Sequence, residues 1–233
     1  MVRLEAIEEH SVSINIDRAH RSHPQSEMID SAWNNLCAQN PRYFNGSMLT
    51  FDSYDQSTRT ILASVEEYKN HAVRDSIDVG ISLLAVTAIL TAPDAENKAG
   101  LFLLGKRSIE THRYGGLWEL GPSGGIDVPR LRNTLKPKHI IAQVAREIKE
   151  EIGVHVSTRP RSFRAIVHDD EAGSSDIVIP IVLEKIPDLK SNWEYSETRW
   201  MTLDELFDWT QTSPQELIPT TVELARYLYE SRS

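Results

Sequence analysis

Cysteine is almost absent from this chain, Cys37 being the single one in 233 residues. No intrachain disulfide can form, so the fold must be held by its core, and a reducing cytoplasm is the expected setting. Long apolar runs are missing as well. The longest, residues 81–91, is too short and too polar to span a bilayer, and the opening MVRLEAIEEH has no apolar signal core. No membrane partner is expected. Positive charge is in the minority, 25 Lys and Arg against 34 Asp and Glu, for a net charge of −9. That argues against nucleic acid as the main partner, because a phosphate backbone needs a basic footprint. Repeats and low-complexity tracts are lacking too. What is present, 40% hydrophobic and 25% charged residues, suits one generous domain, or a domain with an appended unit, that buries a proper core.

Chemistry concentrates in residues 121–154. A helix over residues 139–152 places Glu147, Glu150 and Glu151 within about a third of the circumference, as i, i+3 and i+4 neighbours. Like charges at that spacing repel, so a cation is expected beside them. Hard divalent ions such as Mg²⁺ take carboxylate oxygens and fill their remaining positions with water and substrate phosphates. Ile141, Val144, Ile148 and Ile152 form the adjoining apolar stripe. Gly153 is placed to end the helix in the left-handed conformation. A solvated acidic face is the plain alternative, since charge runs usually mean solvent.

The segment Arg146-Glu-Ile-Lys-Glu-Glu-Ile-Gly-Val154 resembles the helix half of the Nudix box, and Gly116-Leu-Trp-Glu-Leu-Gly-Pro-Ser-Gly-Gly-Ile-Asp127 resembles its lead-in. The match departs from the family pattern in one place. Gly125 precedes Arg146 by 21 residues, seven more than the family's spacing, and the position of the first box glutamate holds Lys138. Asp127 is the nearest substitute, although an Asp after Gly-Gly can simply close a turn.

This resemblance implies an α/β protein, a Nudix α/β/α sandwich with a mixed sheet over residues 80–233, carrying a small N-terminal α+β unit over residues 1–79. It implies hydrolysis of a nucleoside diphosphate linked to another group, with Mg²⁺ or Mn²⁺ held by Glu147, Glu150 and Glu151. Glu151 and Glu150 would be catalytic, and Arg146 would orient a neighbouring carboxylate. Glu194 and Glu197 are candidates for a further metal ligand or the general base. Gly124 and Gly125 would admit phosphates close to the backbone, and Lys106 and Arg107, at a strand end, would lie near the substrate. The partner is then a small-molecule nucleotide; a homodimer stays open.

The N-terminal residues VSINID, AHR, AW and NPRYFNG are similar to a Nudix subgroup described as UDP-sugar or GDP-sugar pyrophosphatases. UDP-glucose is therefore the first substrate expected, with His20 and Arg21 as contacts. Trp33, Tyr43 and Phe44 packing their own core is the simpler account of those aromatics. Two other readings stay open: a nucleotide sensor that does not cleave, and a dinucleotide or ADP-ribose hydrolase.

Along the chain, strands are expected at residues 12–16, 48–51, 59–65, 81–91, 101–106, 118–120, 154–157, 162–167 and 177–183. Helices are expected at 26–38, with Ser26 as a cap, at 66–74, after Thr202 as a cap, and at 216–229. Residues 128–138 read as a basic loop carrying Arg130, Arg132, Lys136 and Lys138, and 168–176 as an acidic hairpin loop in which Asp169 or Asp170 could face a metal.

Overall fold

The computed structural model describes residues 1–7, 11–19, 21–40, 43–94, 100–111, 113–158 and 162–232. Among these residues twelve strands share one mixed sheet: β1 (Val2–Ala6), β2 (Ser13–Asp17), β3 (Ser47–Asp55), β4 (Thr60–Glu67), β5 (Leu83–Ala92), β6 (Leu101–Arg107), β7 (Trp118–Leu120), β8 (Ser123–Gly125), β9 (Thr134–Leu135), β10 (Ala165–Asp169), β11 (Ser174–Val182) and β12 (Tyr195–Met201). Five α-helices accompany it among the same residues: α1 (Ser26–Gln39), α2 (Tyr68–Ala72), α3 (Pro137–Ile152), α4 (Leu203–Thr212) and α5 (Pro219–Glu230).

β5 is the hub. It runs parallel to β11 and antiparallel to β3, β6 and β8, and a strand covered on both faces reads as an unbroken apolar run. Its side chains alternate between two cores. Leu84, Val86, Ala88 and Leu90 join the core under α3, and Ile89 joins the core under α4 and α5. Helices on both faces of a mixed sheet make the α/β/α layering.

α3 follows its apolar stripe. Ile140, Ile141, Val144, Ile148 and Ile152 are fully buried, each worth about 1.5–3 kcal/mol gross, and they seat the helix on β5, β8 and β9. Pro137 opens the helix, where its missing N–H costs nothing, and Gly153 ends it at φ 72°. On the other face α5 packs against β1, β7 and β10, and α4 against α5. Thr202 caps α4 as expected, its hydroxyl accepting from the Glu205 N–H at 3.2 Å.

The strands of residues 1–79 enter the same sheet: β1 lies beside β10, β3 beside β5, and β2 beside β4 and β9. Ile14, Leu49 and Ile61 belong to one core with Ile140 and Val144. Position 79 is thus no break in the sheet.

Four local expectations are corrected. Residues 154–157 form no strand, because the chain after α3 turns back instead, with Lys190 and Asn192 N–H groups bonding the Ile152 and Glu151 carbonyls. Ser26 is the first helical residue of α1, not its cap, and no side chain bonds that end. α2 is shorter than residues 66–74, and β4 claims Glu66 and Glu67. Residues 128–138 are no plain loop: Thr134 and Leu135 pair with β2, and Lys138 already lies in α3.

Candidate active site

α3 presents its three glutamates at graded depth. Glu151 is 3% exposed, the Glu147 side chain is 14% exposed, and that of Glu150 is 59% exposed with Arg146 Nε at 3.7 Å. Helical spacing alone sets them on one edge; packing turns Glu151 inward and leaves Glu150 in solvent.

Glu151 meets a second acid that the sequence does not single out. Glu119, in the middle of β7, is 2% exposed and is held by Arg107, whose Nη1 donates to both carboxylate oxygens at 2.8 and 3.0 Å. The Tyr195 hydroxyl donates to Glu119 Oε1 at 2.9 Å and also bonds Glu151. Burial, then the charges of Glu119 and Glu194, push the Glu151 carboxyl up to about 9. Burial likewise raises Glu119 against the pull of Arg107, and it raises the Tyr195 phenol. Burial alone would lower Arg107, yet Glu119 and Tyr195 reverse the sign and hold it charged.

The turn before α3 is fastened to it. A Cβ on Gly124 would lie 2.5 Å from Glu147 Oε2, so only glycine lets strand and carboxylate approach this closely. Gln143 Nε2 donates to Gly125 O at 3.1 Å and to Glu147 Oε1 at 2.6 Å. Arg146 forks between Asp127 and Glu147, reaching the latter at 3.2 Å. Its bond to Asp127 is the main reason its guanidinium is raised further. Glu147 is raised by burial, with Arg146 and Gln143 opposing. Asp127 therefore serves as the anchor of Arg146.

Beside these acids lies a cavity of about 240 Å³ bounded by Arg107, Glu119, Gly124, Asp169, Asp176 and Glu194. Its far wall is polar. Asp176 accepts from Thr87 Oγ1 at 3.3 Å and Ser174 Oγ at 2.7 Å, and burial pushes it up to about 6. Tyr114 lies on the same wall at φ 54° and donates to Asp169 at 2.8 Å. His71 of α2 also lines the cavity.

Several expected residues lie elsewhere. Glu197 is exposed and pairs with Arg199 at 3.5 Å. A bulge between Tyr195 and Glu197 shifts the register of β12, so the residue two beyond inward-facing Tyr195 faces out. Lys106 stands one position from Arg107 on β6, and strand alternation sends it to the other face, 5.8 Å over the Trp118 ring. Arg21 pairs with Asp52 at 3.0 Å, away from this cavity, and His20 lies outside the described residues. Asp170 faces Met1 and Arg3. Asp169 accepts from the Glu171 and Ala172 N–H groups, which is turn chemistry. The basic residues Arg130, Arg132, Lys136 and Lys138 do not line the cavity.

Glu119, Tyr195, Asp176 and Tyr114 are the site residues that sequence reasoning missed. The one available signal was an acid between Trp118 and Leu120 in a short apolar strand, where burial demands a partner.

Among the described residues no three His, Cys, Asp or Glu side chains stand together closely enough to hold a metal ion. The donor chemistry nevertheless suits one. Glu119, Glu147, Glu151 and Glu194 are hard oxygen donors, and Glu151, raised first by burial and then by the charges of Glu119 and Glu194, is an acid whose ionised form a cation would favour.

No protein-family model matches the chain, and no curated protein matches it. Solved structures do resemble it. A MutT protein from Methanosarcina mazei is 22% identical over 65% of this chain and 96% of its own, with a TM-score of 0.47. The NUDIX domain of Shewanella oneidensis NrtR, complexed with ADP ribose, is 20% identical over 65% of this chain and 89% of its own, with a TM-score of 0.46. A NUDIX hydrolase from Alicyclobacillus acidocaldarius is 13% identical over 63% of this chain and 90% of its own, with a TM-score of 0.48.

Proposed function

We propose that this chain is a Nudix-type pyrophosphohydrolase that cleaves a nucleoside diphosphate linked to another group, a nucleotide sugar such as UDP-glucose being the first candidate. The observation that carries the reading is that Glu151 of the box-like helix lies within electrostatic reach of buried Glu119, which lines a polar cavity together with Gly124, the residue against which Glu147 packs. The sugar-nucleotide preference rests on the N-terminal resemblance alone.

Glu147, Glu151 and Glu119 would hold Mg²⁺ or Mn²⁺ only by turning their side chains toward one another, with Glu150 at the solvent edge. When bound, such an ion neutralises pyrophosphate charge and makes water more acidic. The chain's own groups do the rest. Arg146, anchored by Asp127, fixes Glu147. Tyr195 and Arg107 fix Glu119. The bare Gly124 backbone makes room for Glu147, and Gly124 and Gly125 both line the cavity. Glu194, on the cavity wall, is better placed than Glu197 to take a proton from attacking water. Water oxygen adds to one phosphorus, the bridging P–O bond breaks, and a nucleoside monophosphate and a sugar phosphate leave.

A second reading, a nucleotide-binding protein that does not hydrolyse, is favoured by Lys138 at the first box position and by the ungathered carboxylates. A dinucleotide or ADP-ribose substrate is the remaining variant of the hydrolase. The expected setting is cytoplasmic; among the described residues no helix is long and apolar enough to cross a membrane.

A phosphatase-coupled phosphate-release screen over UDP-, GDP- and ADP-linked substrates with Mg²⁺ or Mn²⁺ decides between them. Metal-dependent turnover of at least one sugar nucleotide is expected, falling about 10²-fold or more in Glu151→Gln. Turnover that ignores metal or mutation refutes the assignment, and tight binding without products selects the non-hydrolysing reading.

A further inference from the structure

The cavity beside Glu119 has two unlike ends. One holds Glu119 and Gly124, and the other is walled by Thr87 of β5, Ser174 and Asp176 of β11, and Tyr114. Strand register sets the distance between them. Asp176 lies opposite Ala85, and Ala85 opposite Gly125, so Asp176 stands two strand spacings, about 10 Å, from the glycine turn.

Each hydroxyl proton of that far wall is already used within the protein. Thr87 Oγ1 and Ser174 Oγ donate to Asp176 at 3.3 and 2.7 Å, and the Tyr114 hydroxyl donates to Asp169 at 2.8 Å. Asp169 also accepts from the Glu171 and Ala172 N–H groups. Asp176 has more lone pairs than these two bonds occupy; it is 8% exposed and lines the cavity. The two arginines of the lining, Arg107 and Arg113, are paired with Glu119 and Asp75. The far wall therefore offers acceptors around a carboxylate, which repels phosphate and suits an uncharged group rich in O–H donors. Uracil would set two carbonyl oxygens and a single N–H against those acceptors, whereas a sugar ring offers several hydroxyls. Leu83, Ala85 and Ile218 give the C–H face of such a ring apolar surface. The volume, about 240 Å³, suits one ring and falls below the about 300–1,000 Å³ of sites that bury a drug-sized ligand, so the nucleoside would lie outside.

Building on the pyrophosphohydrolase reading, we propose that this end of the cavity takes the glycosyl group of the substrate, and that Asp176 is the specificity-determining residue, accepting from the sugar hydroxyls.

The test measures turnover of UDP-glucose, GDP-mannose and ADP-ribose with Mg²⁺ or Mn²⁺, each beside analogues that lack one hydroxyl of the terminal sugar. At pH 7.5 Asp176, raised by burial to about 6, is ionised. For the compound turned over best, loss of the hydroxyl that Asp176 accepts from should lower kcat/KM about tenfold or more, the loss of one charge-assisted bond. Asp176→Asn should lose a similar factor on the parent compound and little further on that analogue, because both changes delete one contact. A merely structural role would lower parent and analogue alike. If Asp176→Asn does not fold, the analogues on the wild-type protein still decide the matter. If nothing is turned over, calorimetric Kd values for the same compounds take the place of kcat/KM. Binding that depends on a sugar hydroxyl, without products, upholds the sugar subsite and removes the hydrolase. Turnover indifferent to every sugar hydroxyl, or sensitive only to the base, leaves the hydrolase standing and overturns the subsite, and absence of both turnover and binding overturns it too.

Discussion

Glu151→Gln should stabilise the metal-free protein, by an amount that grows with pH. In the fold the Glu151 carboxyl is held up to about 9 against an ordinary value of 4.5, first by burial and then by Glu119 and Glu194. An acid raised in this way keeps its proton in the native state over a range where the unfolded chain has released it. Native stability therefore falls as pH climbs from about 4.5 to about 9. About three pH units separate the ordinary value from pH 7.5, each worth about 1.4 kcal/mol, so the ceiling on the gain is about 4 kcal/mol there. At pH 5.5 the ceiling is about 1.4 kcal/mol. Water entering the cavity reduces both figures without changing their order. Gln is isosteric, so no cavity confuses the result. Urea unfolding with a chelator present, at both pH values, measures the difference. A gain that does not change with pH, or a destabilised variant, would refute the burial and charge assignment of Glu151. Adding Mn²⁺ should then stabilise wild type more than Glu151→Gln, because ligand binding to the native state adds to its stability.

Two further outcomes follow from the close contacts of the site. Gly124→Ala must push Glu147 aside, because the new methyl would lie 2.5 Å from its Oε2, and turnover should drop about tenfold to a hundredfold with the fold intact by circular dichroism; unchanged turnover would show that Glu147 need not stand where it does. Glu197→Gln should leave turnover within about twofold, since its ion pair is with solvent-exposed Arg199 and such pairs contribute little; a loss comparable to that of Glu151→Gln would mean that β12 shifts to bring Glu197 inward.

Much of this arrangement could be read from residue order. The periodicity of Ile141, Val144, Ile148 and Ile152 located α3 and its buried face, and Gly153 located its end, because both are local properties of a helix. β5 was legible for a related reason: a strand covered on both faces carries apolar residues on both of them, interrupted here only by Thr87 and Thr91. The misses share a different cause. Residues 154–157 alternate like a strand but have no neighbour to pair with, and pairing is decided far away in sequence. Glu197 is turned out by one bulge, which no propensity announces. Glu119 becomes significant only because β7 pairs with β6 and brings it opposite Gly105, within reach of Arg107 and Tyr195. Burial and charge pairing across the sheet are properties of the assembled chain.

The seven additional residues between Gly125 and Arg146 take on a purpose once β9 is considered. Leu135 and Thr134 zip onto Ile14 and Asn15, and Arg18 clamps Pro129, Arg132 and Asn133 just ahead of them. The surplus length is thus a latch, by which β2 and Arg18 grip the segment leading into α3. Trimming it to the shorter spacing of the box pattern would unhook β2 from that segment.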